Sequence, residues 1–186
     1  TGGTHNFTVN PKVVSIQGNK TYDGNTTINT SDITAIVDTV GSETLVMSSG
    51  TGTTSSQNAA TYTSAGINEG SLTLGDGSNG GLAANYTLTG HAASSFQINQ
   101  RVLSSSGTRT YDGTATASSS DLTLSNLVGS ETLTLSGNGT LADANVATNK
   151  TVTLNTLTLS DNSGLAANYT LTGGTHQLTI NQKAVN

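Results

Sequence analysis

The chain has 186 residues and a net charge of −5, and only 9% of its residues are charged and 4% aromatic. It has neither the basic stripe nor the stacking aromatics of a nucleic-acid surface, and no cysteine for a disulfide or a thiolate metal site. No apolar run approaches the ~20 residues that span a bilayer, so we expect no nucleic-acid partner and no membrane insertion.

Short β-strands are the elements that the sequence predicts. Apolar residues alternate with threonine, as in Thr132-Leu133-Thr134-Leu135, and this period of two is typical of half-buried strands. Asp-Gly and Asn-Gly pairs separate the runs and predict turns. About seven or eight strands per copy, at this spacing, indicate a sandwich. Only 142–150 could form a short helical turn.

Three blocks recur in the same order and reveal a tandem repeat. Lys-Thr-Tyr-Asp-Gly at 20–24 returns as Arg-Thr-Tyr-Asp-Gly at 109–113, and Val-Gly-Ser-Glu-Thr-Leu at 40–45 returns at 128–133. Gly-Leu-Ala-Ala-Asn-Tyr-Thr-Leu-Thr-Gly at 81–90 returns unchanged at 164–173.

The seams between copies set the domain boundaries. Phe-Thr-Val-Asn-Pro-Lys at 7–12 matches 96–101 and 178–183. We therefore predict that 1–10 is the last strand of a preceding repeat and that 182–186 begins a following one. Repeat 1 spans 11–99 and repeat 2 spans 100–181. The seam residues Asn99, Gln100 and Arg101 have neither the length nor the Gly/Ser content of a flexible linker.

The predicted fold is all-β, with two tandem β-sandwich (Ig-like) repeat domains joined head to tail. The alternative is a β-grasp-like repeat with one short helix. In either fold, the ten residues Tyr22, Asp23, Gly24, Tyr111, Asp112, Gly113, Asn85, Tyr86, Asn168 and Tyr169 are predicted to form structural turns and core positions, not catalytic ones. Tyrosine would fill the core, aspartate would bond backbone amides, and glycine would adopt a positive φ.

These blocks resemble the YDG-type and mostly-β, glycine-rich repeats of filamentous-haemagglutinin-like adhesins. The resemblance covers both copies. It implies a secreted, surface-attached protein of the outer membrane of Gram-negative bacteria, exported by two-partner secretion, whose repeats carry no known catalytic residues.

The functional prediction is a structural stalk or spacer, acting in cell adhesion and biofilm formation, that projects a distal binding region. The alternative is a ligand-binding adhesin module for a glycan, a protein or ice, using the variable middle loops 48–60 and 136–143. We expect no enzyme, no catalytic residue and no cofactor. Asp76 and Asp161 are the only metal candidates, and each has one carboxylate in a turn where calcium needs several. The expected partners are neighbouring repeats, with host or matrix glycans or proteins bound by other regions.

Overall fold

The computed structural model describes residues 3–185, which are nearly all β. The predicted all-β class with two tandem repeats is confirmed. Residues 1, 2 and 186, which belong to the predicted first and last segments, lie outside the described residues. Between residues 3 and 185, no helix is long and apolar enough to cross a membrane.

Twenty-one short strands and five 3₁₀ turns make up the regular structure of this range. Repeat 1 contains β1 (Lys12–Val13), β2 (Ser15–Thr21), β3 (Thr27–Asn29), β4 (Ile33–Val37), β5 (Leu45–Ser49), β6 (Thr51–Thr54), β7 (Ala60–Thr63), β8 (Ile67–Asn68), β9 (Thr73–Asp76), β10 (Tyr86–Thr87) and β11 (Ser95–Asn99). Repeat 2 contains β12 (Arg101–Val102), β13 (Ser104–Thr110), β14 (Thr116–Ser118), β15 (Thr123–Ser125), β16 (Leu133–Ser136), β17 (Asn138–Thr140), β18 (Ala147–Thr151), β19 (Thr158–Asp161), β20 (Tyr169–Thr170) and β21 (His176–Asn181).

The chain divides into two compact units that do not coincide with the sequence repeats. Unit 1 comprises residues 1–20 and 25–98, and unit 2 comprises residues 21–24 and 99–186. The Tyr-Asp-Gly block of repeat 1 therefore belongs to unit 2, although 74 residues of unit 1 (25–98) separate it from the rest of that unit. No linker segment lies between the units.

The largest sheet of each unit has the same strand order. It runs β4-β2-β11-β7 in unit 1 and β15-β13-β21-β18 in unit 2. In unit 2 the two central strands, β13 and β21, pair parallel, and the outer strands pair antiparallel to them. The first long strand of the repeat thus lies beside its last. This sheet is mixed, whereas the sheets of an immunoglobulin-type sandwich are antiparallel.

Smaller sheets complete each unit. Unit 1 has the pairs β1-β10 and β5-β9 and the three-stranded sheet β3-β6-β8. Unit 2 has the corresponding pairs β12-β20, β16-β19 and β14-β17. The pairs β1-β10 and β12-β20 are parallel, with Lys12 opposite Tyr86 and Arg101 opposite Tyr169. The two pairs therefore bring the start of each repeat beside its Asn-Tyr block.

Two local predictions were wrong. The segment 142–150 forms no helical turn, because its second half is β18, which pairs antiparallel with β21. The segment 3–10, predicted as a strand, has no strand in this structure. Its counterpart β11 is held between β2 and β7, and no described strand flanks 3–10 in this way.

The core is thin and built on the central strands. Phe96, Ile98 and Ile16 are fully buried in unit 1, and Leu103 and Leu178 are fully buried in unit 2. Three leucines, Leu74, Leu133 and Leu159, are only half-buried. With so few large side chains, each fully buried one contributes a large share of the stability.

Hydroxyl pairs recur at equivalent places between strands and add to this core. Ser49 bonds Thr73 at 2.7 Å in unit 1, and Ser136 bonds Thr158 at 3.0 Å in unit 2. Cross-strand pairs of this kind contribute a few tenths of a kcal/mol to about 1 kcal/mol each. The abundant serine and threonine side chains therefore contribute hydrogen bonds between strands.

Phe96→Ala should lower the free energy of unfolding of unit 1 by about 3–5 kcal/mol, because it leaves a cavity in a fully buried site. Urea unfolding followed by circular dichroism measures the loss. Phe7, the counterpart of Phe96 in the preceding seam, is 91% exposed and is the matched control. Phe7→Ala should change the stability by less than about 0.5 kcal/mol. Equal effects of the two substitutions would contradict the assignment of the core.

Candidate functional site

The Tyr-Asp-Gly block of repeat 1 forms a tight corner at the end of β2. The Tyr22 amide donates to the Asn99 carbonyl at 2.9 Å, so the corner begins beside the end of β11. Gly24 has a φ of +79°, and a Cβ there would lie 2.9 Å from Val128 Cγ1. Both the backbone conformation and the close approach therefore require glycine. We call residues 22–24, and their equivalents 111–113, the corner.

The side chain of Tyr22 is buried in unit 2, with 1% of its surface exposed. Its hydroxyl donates to Glu131 Oε1 at 2.7 Å, and the Tyr169 hydroxyl donates to Glu131 Oε2 at 2.6 Å. The two rings meet edge to face, with centroids 5.4 Å apart and planes at 80°. Such pairs add about 0.5–1.5 kcal/mol beyond burial of area. Asn168, also buried, bonds the Tyr22 phenol through its side chain.

Local turns place the acceptor carboxylate. The Glu131 amide donates to the Val128 carbonyl at 3.0 Å, which closes a turn in which Gly129 has a φ of +54°. The Val128 amide donates to the Tyr169 hydroxyl at 3.1 Å, so that phenol is fixed as donor and acceptor at once. We call the receiving residues Val128, Glu131, Asn168 and Tyr169 the socket.

Burial and the adjacent carboxylate favour the neutral phenols. Burial first, and the hydrogen bond to Glu131 second, raise the pKa of Tyr22 to about 12. The same two causes raise the pKa of Tyr169. Hydrogen bonds to a charged acceptor are about twice as strong as neutral ones. The site therefore recognises a protonated tyrosine.

The predicted seam residues are bonded to this site within unit 2. Gln100 Nε2 donates to the Ala167 carbonyl at 3.0 Å. Arg101 donates through Nε to the Asn126 carbonyl and through a terminal nitrogen to Asn126 Oδ1, both at 2.7 Å. A second terminal nitrogen of Arg101 lies 3.4 Å from the Tyr22 carbonyl. The seam is thus an ordered part of unit 2.

Unit 1 has the equivalent socket, residue for residue. The Tyr86 hydroxyl donates to Glu43 Oε2 and accepts from the Val40 amide, as Tyr169 does with Glu131 and Val128. That bond to Glu43 is the main cause that raises the pKa of Tyr86. Around these residues lies an open cavity of about 390 Å³, whose wall includes Asn85. Asn85 is exposed, while its equivalent in unit 2 is buried beneath Tyr22.

The corner of repeat 2 has the same backbone anchor and a different environment. The Tyr111 amide donates to the Asn181 carbonyl at 2.8 Å, and Gly113 has a φ of +81°. Asp112 accepts from the Thr114 amide at 2.9 Å, and this backbone bond is the first cause that lowers the pKa of Asp112. Tyr111 itself is 40% exposed, so the expectation that it lies in the core was wrong. No socket within 3–185 receives it.

The family follows from these two copies. A model of the YDG domain matches residues 5–95 and 97–177. The chain belongs to the YDG-domain family. No curated protein and no solved structure matches it.

In both YDG domains the predicted metal candidates bond the backbone. Asp76 Oδ1 accepts from the Ala83 amide at 2.8 Å, and Asp161 Oδ1 accepts from the Ala166 amide at 2.7 Å. Each carboxylate thereby fixes the 3₁₀ turn that precedes the Asn-Tyr block. No group of three potential metal ligands occurs among residues 3–185.

A serine–histidine pair occupies the core of the second YDG domain. His176 and Ser105 are both buried, with Nδ1 of the ring 2.9 Å from Ser105 Oγ. Nε2 lies 2.9 Å from the Leu171 carbonyl, which can only accept. Nε2 therefore carries the proton and Nδ1 accepts from the serine. In the first YDG domain, Ser94 Oγ takes this position and accepts from the Ile16 amide at 3.0 Å.

Glu43 and Glu131 are the site residues that the sequence prediction left out. Their block, Val-Gly-Ser-Glu-Thr-Leu, recurs in both YDG domains. An acid after a Gly-Ser turn is usually solvated, so the block alone did not distinguish a half-buried acceptor of tyrosine hydrogen bonds. Two recurring tyrosine blocks beside one recurring acid, in a chain with so few charges, could have suggested the pairing.

Raising the pH from 10 to 12 should destabilise unit 2 through Tyr22. Its phenol is neutral in the folded state up to about pH 12, while the unfolded phenol ionises near 10. The stabilisation is therefore complete below pH 10 and is lost as the pH rises toward 12, by roughly 1–3 kcal/mol. Urea midpoints measured between pH 9 and pH 11.5 check this.

Tyr22→Phe should remove the part of this alkaline loss that Tyr22 causes, although it lowers stability at pH 8 because the bond to Glu131 is gone. Tyr111→Phe, the same change in the other corner, is the matched control and should leave the alkaline slope unchanged. An identical slope for the original chain and Tyr22→Phe would refute the assignment.

Proposed function

We propose that this chain is a pair of structural stalk repeats from a secreted, cell-surface bacterial adhesin, where the pair is a spacer that projects a distal binding region. The adhesin context rests on the resemblance of the Tyr-Asp-Gly and Gly-Leu-Ala-Ala-Asn-Tyr blocks to repeats of filamentous-haemagglutinin-like proteins. Attachment at the outer membrane, export by two-partner secretion and roles in adhesion and biofilm are part of the same proposal.

One observation carries the spacer role, namely how the chain passes from one unit to the other. It passes after Lys20, returns after Gly24, and passes again after Ile98. Domains that are joined by a flexible linker are connected by a single passage of the chain. At each of these three passages the chain enters the other unit within a few residues of a strand, so no length of chain is left to act as a flexible linker. Short connections of this kind favour a spacer that holds a distal region away from a surface.

The exposed surface favours a spacer over a ligand-binding module. Binding hot spots are enriched in tryptophan, tyrosine and arginine that cluster near the centre of an interface. Within the middle segments 48–60 and 136–143, no described residue is a large exposed hydrophobic. The exposed apolar side chains elsewhere are mostly scattered valines and leucines. Isolated exposed apolar residues are normal on soluble surfaces.

A Gly-Ser-Gly-Ser insertion after Asn99 should widen the distribution of distances between the two units. The chain has no cysteine, so Thr34→Cys and Ser160→Cys introduce one spin label in each unit. Pulsed electron resonance should give a narrow distribution for the labelled original chain. The insertion adds freedom at the seam, and it should also increase the exposure of Tyr22, whose amide is bonded to Asn99.

The same four residues inserted after Asn79, in an exposed turn of unit 1, form the matched control and should leave the distribution narrow. A wide distribution in the original chain would mean that the seam is already flexible, and the spacer proposal would then fail.

A screen of glycans and matrix proteins separates the spacer from the ligand-binding alternative. We expect no saturable binding by the isolated chain. Micromolar binding that is lost when 48–60 is replaced by 136–143 would support the alternative.

A further inference from the structure

We propose that the socket of unit 1 binds the Tyr-Asp-Gly corner of another YDG repeat, so that the corner tyrosine of each repeat inserts into the socket of the next. The occupant is a second copy of the repeat, entering through the equivalent of Tyr111. This inference does not depend on the adhesin context, since it rests on the two sockets and two corners of this chain.

The occupied socket of unit 2 defines what the other socket can receive. There the corner is held by Glu131 through the phenol and by Asn99 through the backbone. It is also held by Val128, whose Cγ1 lies against Gly24. These contacts combine a charged acceptor, a backbone carbonyl and an apolar wall. Together they select a protonated tyrosine followed two residues later by glycine.

Unit 1 repeats each of these elements. Glu43 replaces Glu131, Val40 replaces Val128, and Asn10 replaces Asn99, and all three line the cavity of about 390 Å³. Glu43 bonds Tyr86 through Oε2, and among residues 3–185 no donor bonds its other oxygen, Oε1. In unit 2 the matching oxygen is the one that accepts from Tyr22.

The exposure of its side chains agrees with a unit 1 socket whose residues are in place but are not covered by any other described residue. Val40 is 53% exposed, whereas its counterpart Val128 is half-buried. Asn85 is exposed, whereas Asn168 is 1% exposed. These differences coincide with the presence of Tyr22 in one socket. The corner of repeat 2 is complementary, because its amide anchor is formed while its ring is 40% exposed.

The corner and the socket would belong to adjacent repeats of one chain, and this covalent connection makes a small contact sufficient for docking. A single tyrosine in a pocket buries far less than the roughly 1,000 Å² of a stable protein–protein interface. The Asn whose carbonyl anchors the corner is the last residue of its repeat and directly precedes the next one, so the partner is held at a high effective concentration. We therefore expect this docking between repeats of one chain, and only weak association between separate chains.

A tandem protein tests the proposal. Residues 3–181 are joined directly to a second segment, residues 11–185, so that Asn181 precedes Pro11 as Asn10 does in the original sequence. Tetranitromethane nitrates exposed tyrosines, and peptide mass spectrometry measures the rate at each one. Thr116→Ser in the first segment distinguishes the two copies of Tyr111. Tyr22 is the protected reference, and Tyr111 of the second segment is the exposed reference.

Tyr111 of the first segment should react about tenfold or more slowly than Tyr111 of the second, because reaction then requires local opening. Glu43→Ala in the second segment should abolish the protection. The matched control is Glu43→Ala in the first segment, which should leave the protection unchanged.

Val40→Trp in the second segment is an independent variant that fills the socket without removing a buried contact, and it should also expose Tyr111. Equal nitration of both copies of Tyr111 in the parent tandem protein would overturn the proposal, as would protection that survives both socket variants.

Discussion

The Glu131 carboxylate accepts one hydrogen bond from Tyr22 and one from Tyr169, and unit 2 depends on this shared acceptor. Only 9% of the residues are charged, and placing a carboxylate beside aromatic rings costs desolvation free energy. Hydrogen bonds to both of its oxygens offset that cost. Four of the five tyrosines of the chain belong to a corner or a socket. The large aromatic side chains are therefore concentrated where one repeat meets the sequence of the next.

This concentration explains how so lightly packed a domain can remain ordered. Its strands approach closely at glycine; at Gly52 in β6, for example, a Cβ would lie 2.7 Å from the Asn68 carbonyl oxygen in β8. Close strands need few large side chains between them, and hydroxyl pairs form hydrogen bonds across paired strands. The remaining weakness is the end of β2, where a tyrosine leaves the sheet. Tyr22 is buried in unit 2 against residues of the neighbouring repeat, and this burial stabilises the end of β2.

Local chemistry was predictable from the sequence, and long-range pairing was not. The Asp-Gly blocks indicated left-handed glycines, which Gly24 and Gly113 show, because a turn is decided by adjacent residues. The parallel pairing of β13 with β21 joins strands some 70 residues apart, and strand periodicity carries no information about such a partner. Tyr22 and Tyr111 lie in the same Thr-Tyr-Asp-Gly block, yet one is buried and the other exposed. Only the position of Glu131, 109 residues after Tyr22, separates them.

Sharing a corner between repeats changes how stability is distributed along an array. In stacked repeat proteins, stability is approximately a sum of intrinsic terms for each repeat and terms for each pair of neighbours. Here the neighbour term includes a buried tyrosine, its edge-to-face ring contact and a hydrogen bond to a carboxylate, and it adds to a thin intrinsic core. A repeat that loses its neighbour exposes either a tyrosine or a carboxylate, and both exposures are tolerated in water. Under the docking proposal, each added repeat therefore contributes one more tyrosine contact, while a terminal repeat stays folded.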